Sequence, residues 1–338
     1  MSSSIRNILP LGFPWKTQDP FLFCVHHHDI YPPANDEMGP NVPLNDRPIG
    51  NDFQIKDGFR MYHGSKVPGF PGHPHRGFET ITVVEDGFVD HSDSMKAAGR
   101  FGQGDVQWMT AGSGVQHSEM FPLFNKADKN ELELFQIWLN LPAKDKMVKP
   151  HFKMLWHEQI PVLREKDDNG NDVEIKVIAG NYGTQKALNP APNSWAANAN
   201  NEVAIWKVTM APNAKWKLPK ASFDVNRSLY FFKGRAVKVA DEKLDYFKAV
   251  ELNAEHEVEL ENGNETTMLL LLQGKPLNEK VVQYGPFVMN SEAEIQEAYN
   301  DFQRTQWGGW PWPSNENVHP RSKSRFALHG DGTLEQPK

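Results

Sequence analysis

The chain has 338 residues, a formal net charge of −7, 39% hydrophobic residues, 25 glycines and 25 prolines. This is length enough for two domains with substantial cores, in a turn-rich composition that suits a mainly β protein. The acidic balance and the lack of a long Lys/Arg cluster argue against a nucleic-acid-binding surface, and the single cysteine, Cys24, excludes an intramolecular disulfide.

The first residues, Met1-Ser2-Ser3-Ser4-Ile5-Arg6, lead into Pro10 and Pro14 without the apolar core of a signal peptide, so a reducing cytosol is the expected location. The longest aliphatic run, 268–272, is too short to span a membrane. Up to about Lys16 the chain reads as an irregular arm. Pro20-Phe21-Leu22-Phe23-Cys24-Val25 is an apolar strand running into His26-His27-His28-Asp29. His26 and His28 would share a face, but no second ligand pair accompanies them, so they read as the polar end of a buried strand. The stretch 31–52, rich in Pro, Asn and Asp, is expected to be a long loop.

From 53 to 141 short strands alternate with Gly, Asn and Asp turns, the pattern of a small barrel or sandwich. Within it lie Gly72-His73-Pro74-His75-Arg76-Gly77-Phe78-Glu79-Thr80 and Gly112-Ser113-Gly114-Val115-Gln116-His117-Ser118-Glu119. His73 with His75, and His117 with Glu119, are pairs separated by one residue. In a strand such pairs project from one face, so two adjacent strands would aim three imidazoles and a carboxylate into one pocket, a metal site built from a sheet. Arg76 and Glu79 are expected to brace the histidine strand by hydrogen bonds or an ion pair. Trp108 and Met109 fit a buried strand.

The charged, proline-bracketed stretch 142–155 reads as a linker between an N-terminal domain, 1–141, and a second domain, 156–290. The second domain repeats the alternation of short strands and turns, and Tyr230-Phe231-Phe232-Lys233-Gly234-Arg235-Ala236-Val237 echoes Thr82-Val83-Val84-Glu85-Asp86-Gly87-Phe88-Val89. The echo omits the chemistry, with Asn226 and Ser228 where the first domain has histidines and with His256 alone in a charged strand. One metal per chain is therefore expected, with the second barrel structural or shaping a cleft. A helix is expected over 291–304, with Ser291 as N-cap, Glu294 completing a capping box, and Ile295, Ala298, Tyr299 and Phe302 as its apolar stripe. The remainder to 338 is a tail in which Trp307, Trp310 and Trp312 are expected to pack onto the body of the protein, and which is expected to be disordered from Gly330.

The motifs His-Pro-His-Arg-Gly-Phe-Glu-Thr (73–80), Gly-Asp-Val-Gln-Trp-Met-Thr-Ala-Gly (104–112) with His117-Ser118-Glu119, Gln-Ile-Trp-Leu-Asn-Leu-Pro (136–142) and Tyr-Gly-Pro-Phe-Val-Met-Asn (284–290) resemble the pirin family of the cupin superfamily. The resemblance spans about 21–302. It implies an all-β fold of two tandem cupin-type (double-stranded β-helix) barrels with a C-terminal helix and tail. It also implies that Glu119, rather than Glu79, binds the metal with His73, His75 and His117. Imidazole and carboxylate without thiolate suit Fe(II), Mn, Ni or Zn, and the resemblance implies iron. Two functions follow. One is a dioxygenase similar to quercetin 2,3-dioxygenases, cleaving a flavonol or another enol-bearing aromatic with release of carbon monoxide, Glu119 serving as both ligand and base. The other is a non-enzymatic metal- or redox-sensing regulator acting on a protein partner. A monomer without membrane or direct nucleic-acid contact is expected in either case.

Overall fold

The computed structural model describes residues 4–338. It is all-β apart from short 3-10 turns and one α-helix, Glu292–Thr305, among the described residues. The chain forms two compact units, and neither follows chain order. One contains 25–158 and 279–338, the other the chain up to 24 and 159–278. The division expected from the sequence, 1–141 followed by 156–290, thus differs at both ends, because each terminal segment joins the unit remote from it in sequence.

In the first unit a five-stranded antiparallel sheet runs in the order His151–Leu155, Val106–Thr110, Phe78–Asp86, Asn130–Asn140, Phe21–Tyr31, the last strand belonging to this unit from Val25 onward. A six-stranded sheet runs Leu334–Glu335, Phe326–Leu328, Ala98–Gly102, Phe88–Asp93, Val115–Met120, Gly69–His75. Phe78–Asp86 is buried on both faces from Phe78 to Val84, its polar Glu79, Thr80 and Thr82 included, as a strand enclosed by neighbours on either side. Val84, Val89, Phe101, Leu134, Phe152 and Met154 belong to one core cluster. At about 1.5–3 kcal/mol per fully buried large apolar side chain, clusters of this size offset the conformational entropy of many ordered residues.

The expected linker is largely structural. His151–Leu155 pairs with Val106–Thr110, since Phe152 and Met154 alternate into the core. Lys146 is buried and its Nζ donates to Gly77 O, Asn140 Oδ1 and Val288 O at 2.7–3.1 Å. The 31–52 loop is irregular as expected and is pinned by buried Arg47, which donates to Asp52 Oδ2 at 2.8 Å.

The returning segment 279–338 completes this unit. Ser291 Oγ accepts from Glu294 N, which forms the N-cap half of the expected capping box, while Glu294 Oε2 reaches back to accept from Asn290 N, one residue before the cap. Ile295 and Ala298 pack with Phe287 and Met289, and Phe302 and Trp307 close the cluster. Past the helix, buried Arg100 is held by both oxygens of Asp90 at 2.6 and 2.7 Å and donates to the carbonyls of His319, Pro320 and Lys323, which fastens the tail. Phe326–Leu328 then adds a strand beside Ala98–Gly102. Residues beyond Gly330 are ordered, contrary to expectation: Leu334–Glu335 pairs back on Phe326–Leu328, and Trp156 Nε1 and His329 both reach Glu335.

In the second unit a seven-stranded sheet runs Ile5–Pro10, Lys248–Asn253, Asn226–Lys233, Thr267–Gly274, Ala204–Met210, Asp172–Ala179, Val162–Lys166. A four-stranded sheet runs Lys215–Leu218, Val258–Asn262, Ala236–Val239, Glu242–Asp245. The N-terminal arm is thus partly a strand, not wholly irregular. Val208, Leu229, Phe231, Val250, Leu260 and Leu271 share an apolar core.

Candidate metal centre

Gly69–His75 and Val115–Met120 are antiparallel neighbours. Phe70 pairs with Glu119 and His73 with His117, so the histidine strand holds one residue more than its partner over this interval, a bulge around Pro71-Gly72. Bulges turn the following side chains, and here the pairs at one-residue spacing end on a common face. The side-chain nitrogens of His73, His75 and His117 offered as ligands lie within 4.8 Å of one another. Their ring centroids are 4.5–5.0 Å apart.

The remaining hydrogen bonds set the tautomers. His73 Nδ1 lies 2.8 Å from Pro71 O and His75 Nδ1 lies 3.3 Å from Pro286 O. A carbonyl can only accept, so each Nδ1 carries the proton and each Nε2 presents a lone pair. His117 is fully buried and neither of its ring nitrogens has a hydrogen-bond partner. Burial lowers the pKa of all three, His73 to about 4 and His75 and His117 well below their ordinary value, with neighbouring histidines adding to the effect. Three neutral imidazoles therefore converge with no donor to meet them. A cation fits that arrangement and a proton does not.

Glu119 stands beside the triad, its Oε2 3.8 Å from His117 Nε2. Thr82 Oγ1 donates to Oε1 at 2.9 Å and Gln136 Nε2 donates to Oε2 at 2.7 Å. Desolvation raises the Glu119 pKa, while His91 and these two hydrogen bonds oppose the rise. Phe78 and Trp138 wall the site on the His75 side, at ring-centroid distances of 5.0 and 5.3 Å.

Arg76 and Glu79 are placed differently from the ligands. Arg76 donates to Ser113 O and to Asp301 Oδ2 and lies 4.9 Å from the Trp307 ring, bracing the strand from outside. Glu79 is buried and accepts from Thr110 Oγ1 at 2.7 Å. His26 and His28 do share a face, where Glu133 and Glu131 take their Nε2 atoms at 2.9 Å, and His27 Nδ1 meets Tyr62 Oη.

Sequence reasoning overlooked His91 and Asp93. They carry the same one-residue spacing as the ligand pairs and could have been found by it. His91 Nε2 binds Asp93 Oδ2 at 3.0 Å, its Nδ1 is buried without a partner, and its ring lies 5.5 Å from that of His117. Thr82 and Gln136 were also overlooked as supports of Glu119. They sit directly opposite each other on Phe78–Asp86 and Asn130–Asn140, a juxtaposition visible only once the strands are paired.

A β-barrel unit with three converging histidines and an adjacent carboxylate defines a class, the cupins with a candidate metal site on one barrel. Within it the chain belongs to the pirin family: residues 16–139 match the Pirin model and 205–308 match the Pirin C-terminal cupin domain. It is 38% identical over 238 residues to the Pseudomonas aeruginosa protein named "Putative quercetin 2,3-dioxygenase PA2418", covering 70% of this chain and 78% of that protein. It is 34% identical over 270 residues to a tomato (Solanum lycopersicum) "Pirin-like protein", covering 76% and 84%. A crystal structure of a quercetin 2,3-dioxygenase from Acinetobacter baumannii superposes with a TM-score of 0.67 at 30% identity, covering 91% of this chain and 96% of that one.

Proposed function

We propose that His73, His75, His117 and Glu119 hold one divalent metal ion, Fe(II) in the first instance, and that the protein is a quercetin 2,3-dioxygenase-like enzyme. Its substrate class is a flavonol or similar enol-bearing aromatic, which takes up dioxygen and loses carbon monoxide as the ring opens. The observation that carries this reading is the convergence of three neutral, buried imidazoles, one with both nitrogens unpartnered, next to a buried carboxylate. The names of the relatives supply the reaction class.

When bound, the metal would supply Lewis acidity toward the substrate oxygen and electron exchange with dioxygen. The chain's own residues would do the rest. Glu119 would accept the enol proton. Thr82 and Gln136 would hold that carboxylate in place. Among the four ligands only Glu119 can take the proton, because each histidine would spend one nitrogen on the metal, and His73 and His75 already donate from the other. Phe78 and Trp138 would offer aromatic surface to the substrate and keep water out.

The test is aerobic incubation of Fe(II)-loaded protein with a flavonol, with substrate loss and carbon monoxide measured together. Stoichiometric carbon monoxide supports the enzyme. Failure with Fe(II), Mn and Ni alike would reject flavonol cleavage and favour a metal-sensing regulator that works through a protein partner.

A further inference from the structure

The second unit has no counterpart of the histidine triad, yet one end of its barrel is not apolar. Ala204, Gln273 and Arg227 are register partners on three neighbouring strands, and two residues further along the same strands Trp206, Leu271 and Leu229 lie in the core. Above this level lies a cavity of about 440 Å³, within the range of small-molecule sites. Arg227, Gln273, Trp206, Lys186, Lys220 and Glu202 are among its lining.

Arg227 is the unusual member. It is 1% exposed, and no carboxylate among the described residues forms an ion pair with it. Its Nε and Nη2 both donate to Gln273 Oε1, and its Nη1 donates to Pro219 O at 2.7 Å. Gln273 is itself oriented by donating from Nε2 to Glu202 O at 3.1 Å. A guanidinium has five N–H groups, so one on each terminal nitrogen remains without a protein acceptor. Burial draws the group down to about 10, and the nearby Glu202 carboxylate, which does not form an ion pair with it, opposes that fall only in part. Of the charged lining residues, Glu202 is engaged with Ser222 N and Oγ, whereas Lys186 and Lys220 are exposed at the rim.

We propose that this barrel mouth binds a small organic carboxylate, whose oxygens would accept the two free N–H groups of Arg227 while Lys186 and Lys220 guide it electrostatically. A carboxylate matches the planar fork of a guanidinium. The inference is independent of the metal centre and of the reaction proposed for it.

Isothermal titration of full-length, metal-loaded protein with benzoate, succinate and citrate tests the site, with inorganic phosphate and the neutral isostere benzamide as controls. One of the carboxylates is expected to bind once per chain, and Arg227→Met to weaken it by about tenfold or more, the worth of a charge-assisted hydrogen bond. Since removal of an unpaired buried charge can disturb folding, the exposed double substitution K186E/K220E provides a second test, expected to weaken binding by about threefold to tenfold without altering the circular dichroism. His75→Ala is expected to leave this binding unchanged. The proposal is overturned if none of the three carboxylates binds at tens of millimolar, if benzamide or phosphate binds as well as they do, if neither set of substitutions weakens binding, or if binding disappears with His75→Ala, which would put the carboxylate on the metal.

Discussion

Replacing Glu119 by Gln separates the two roles assigned to this residue. The change keeps the side chain's size and one oxygen able to bind metal, but removes the negative charge and the basic site. The structure shows what else it disturbs. Gln136 Nε2 donates to Oε2 at 2.7 Å and Thr82 Oγ1 donates to Oε1 at 2.9 Å, so whichever position the new amide nitrogen takes, it faces a current donor. Thr82 can reverse its hydroxyl and accept, because a hydroxyl is both donor and acceptor. Both hydrogen bonds are then kept but change from charge-assisted to neutral, at about 1 kcal/mol each. The neutral amide is also a weaker metal ligand than the carboxylate, but with three imidazoles retained and metal in excess, occupancy is expected to fall modestly, by less than about tenfold. Loss of a positioned general base costs about two to four orders of magnitude in rate. Occupancy by elemental analysis and flavonol cleavage should be measured on the same preparation, as rate per bound metal. A fall in rate matching the fall in occupancy would refute the base assignment and leave Glu119 as a ligand alone.

The other predictions concern metal content and stability. Purified protein should hold close to one divalent metal per chain; two tightly bound metals by elemental analysis would show that a second site had been missed. His75→Ala should lose the metal yet retain a single cooperative unfolding transition, since the apolar cores do not depend on the triad; loss of that transition would make the metal structural. The metal-free protein should lose stability as the pH falls from 6.5 toward 4. His27, His73, His75 and His117 have lowered folded-state pKa values, so the unfolded chain binds protons first and acid favours it. Urea unfolding at pH 7, 6 and 5 checks the sign, and greater stability at pH 5 would contradict it. Gly114→Ala should destabilise the metal-bearing unit by about 1–3 kcal/mol, because Gly114 has φ +135° and a Cβ there would lie 2.4 Å from the Trp307 ring. A double-mutant cycle with Trp307→Ala should recover part of the loss, and strict additivity would deny the contact.

How much was legible depended on the range of the interaction. The ligand pairs at 73/75 and 117/119 were readable because the two-residue period of a strand is a local property of the backbone. The Ser291–Glu294 cap was readable for the same reason: both partners lie within one helical turn, and the helix begins at Glu292 as the capping residue dictates. The strand-and-turn spacing of both barrels, and the lack of ligand pairs in the second, were likewise present in the order of residues.

Other features required distant segments to meet. The bulge at Pro71-Gly72 that aligns His73 with His117 exists only in the pairing of two strands, as does the meeting of Thr82 with Gln136 under Glu119. The tail is a clearer case. Pro286 O reaches His75 Nδ1, Trp312 Nε1 donates to Asp93 O, and 279–338 joins the unit that holds the triad, although the charged stretch at 142–155 had suggested a boundary before it. Residue type and spacing determine which local conformations and ligand faces are available, because those depend on neighbours within a few residues. Which faces meet is decided by burial and hydrogen-bond satisfaction summed over the whole fold, and a cation left unpaired in one barrel or a carbonyl set behind a histidine in the other is visible only there.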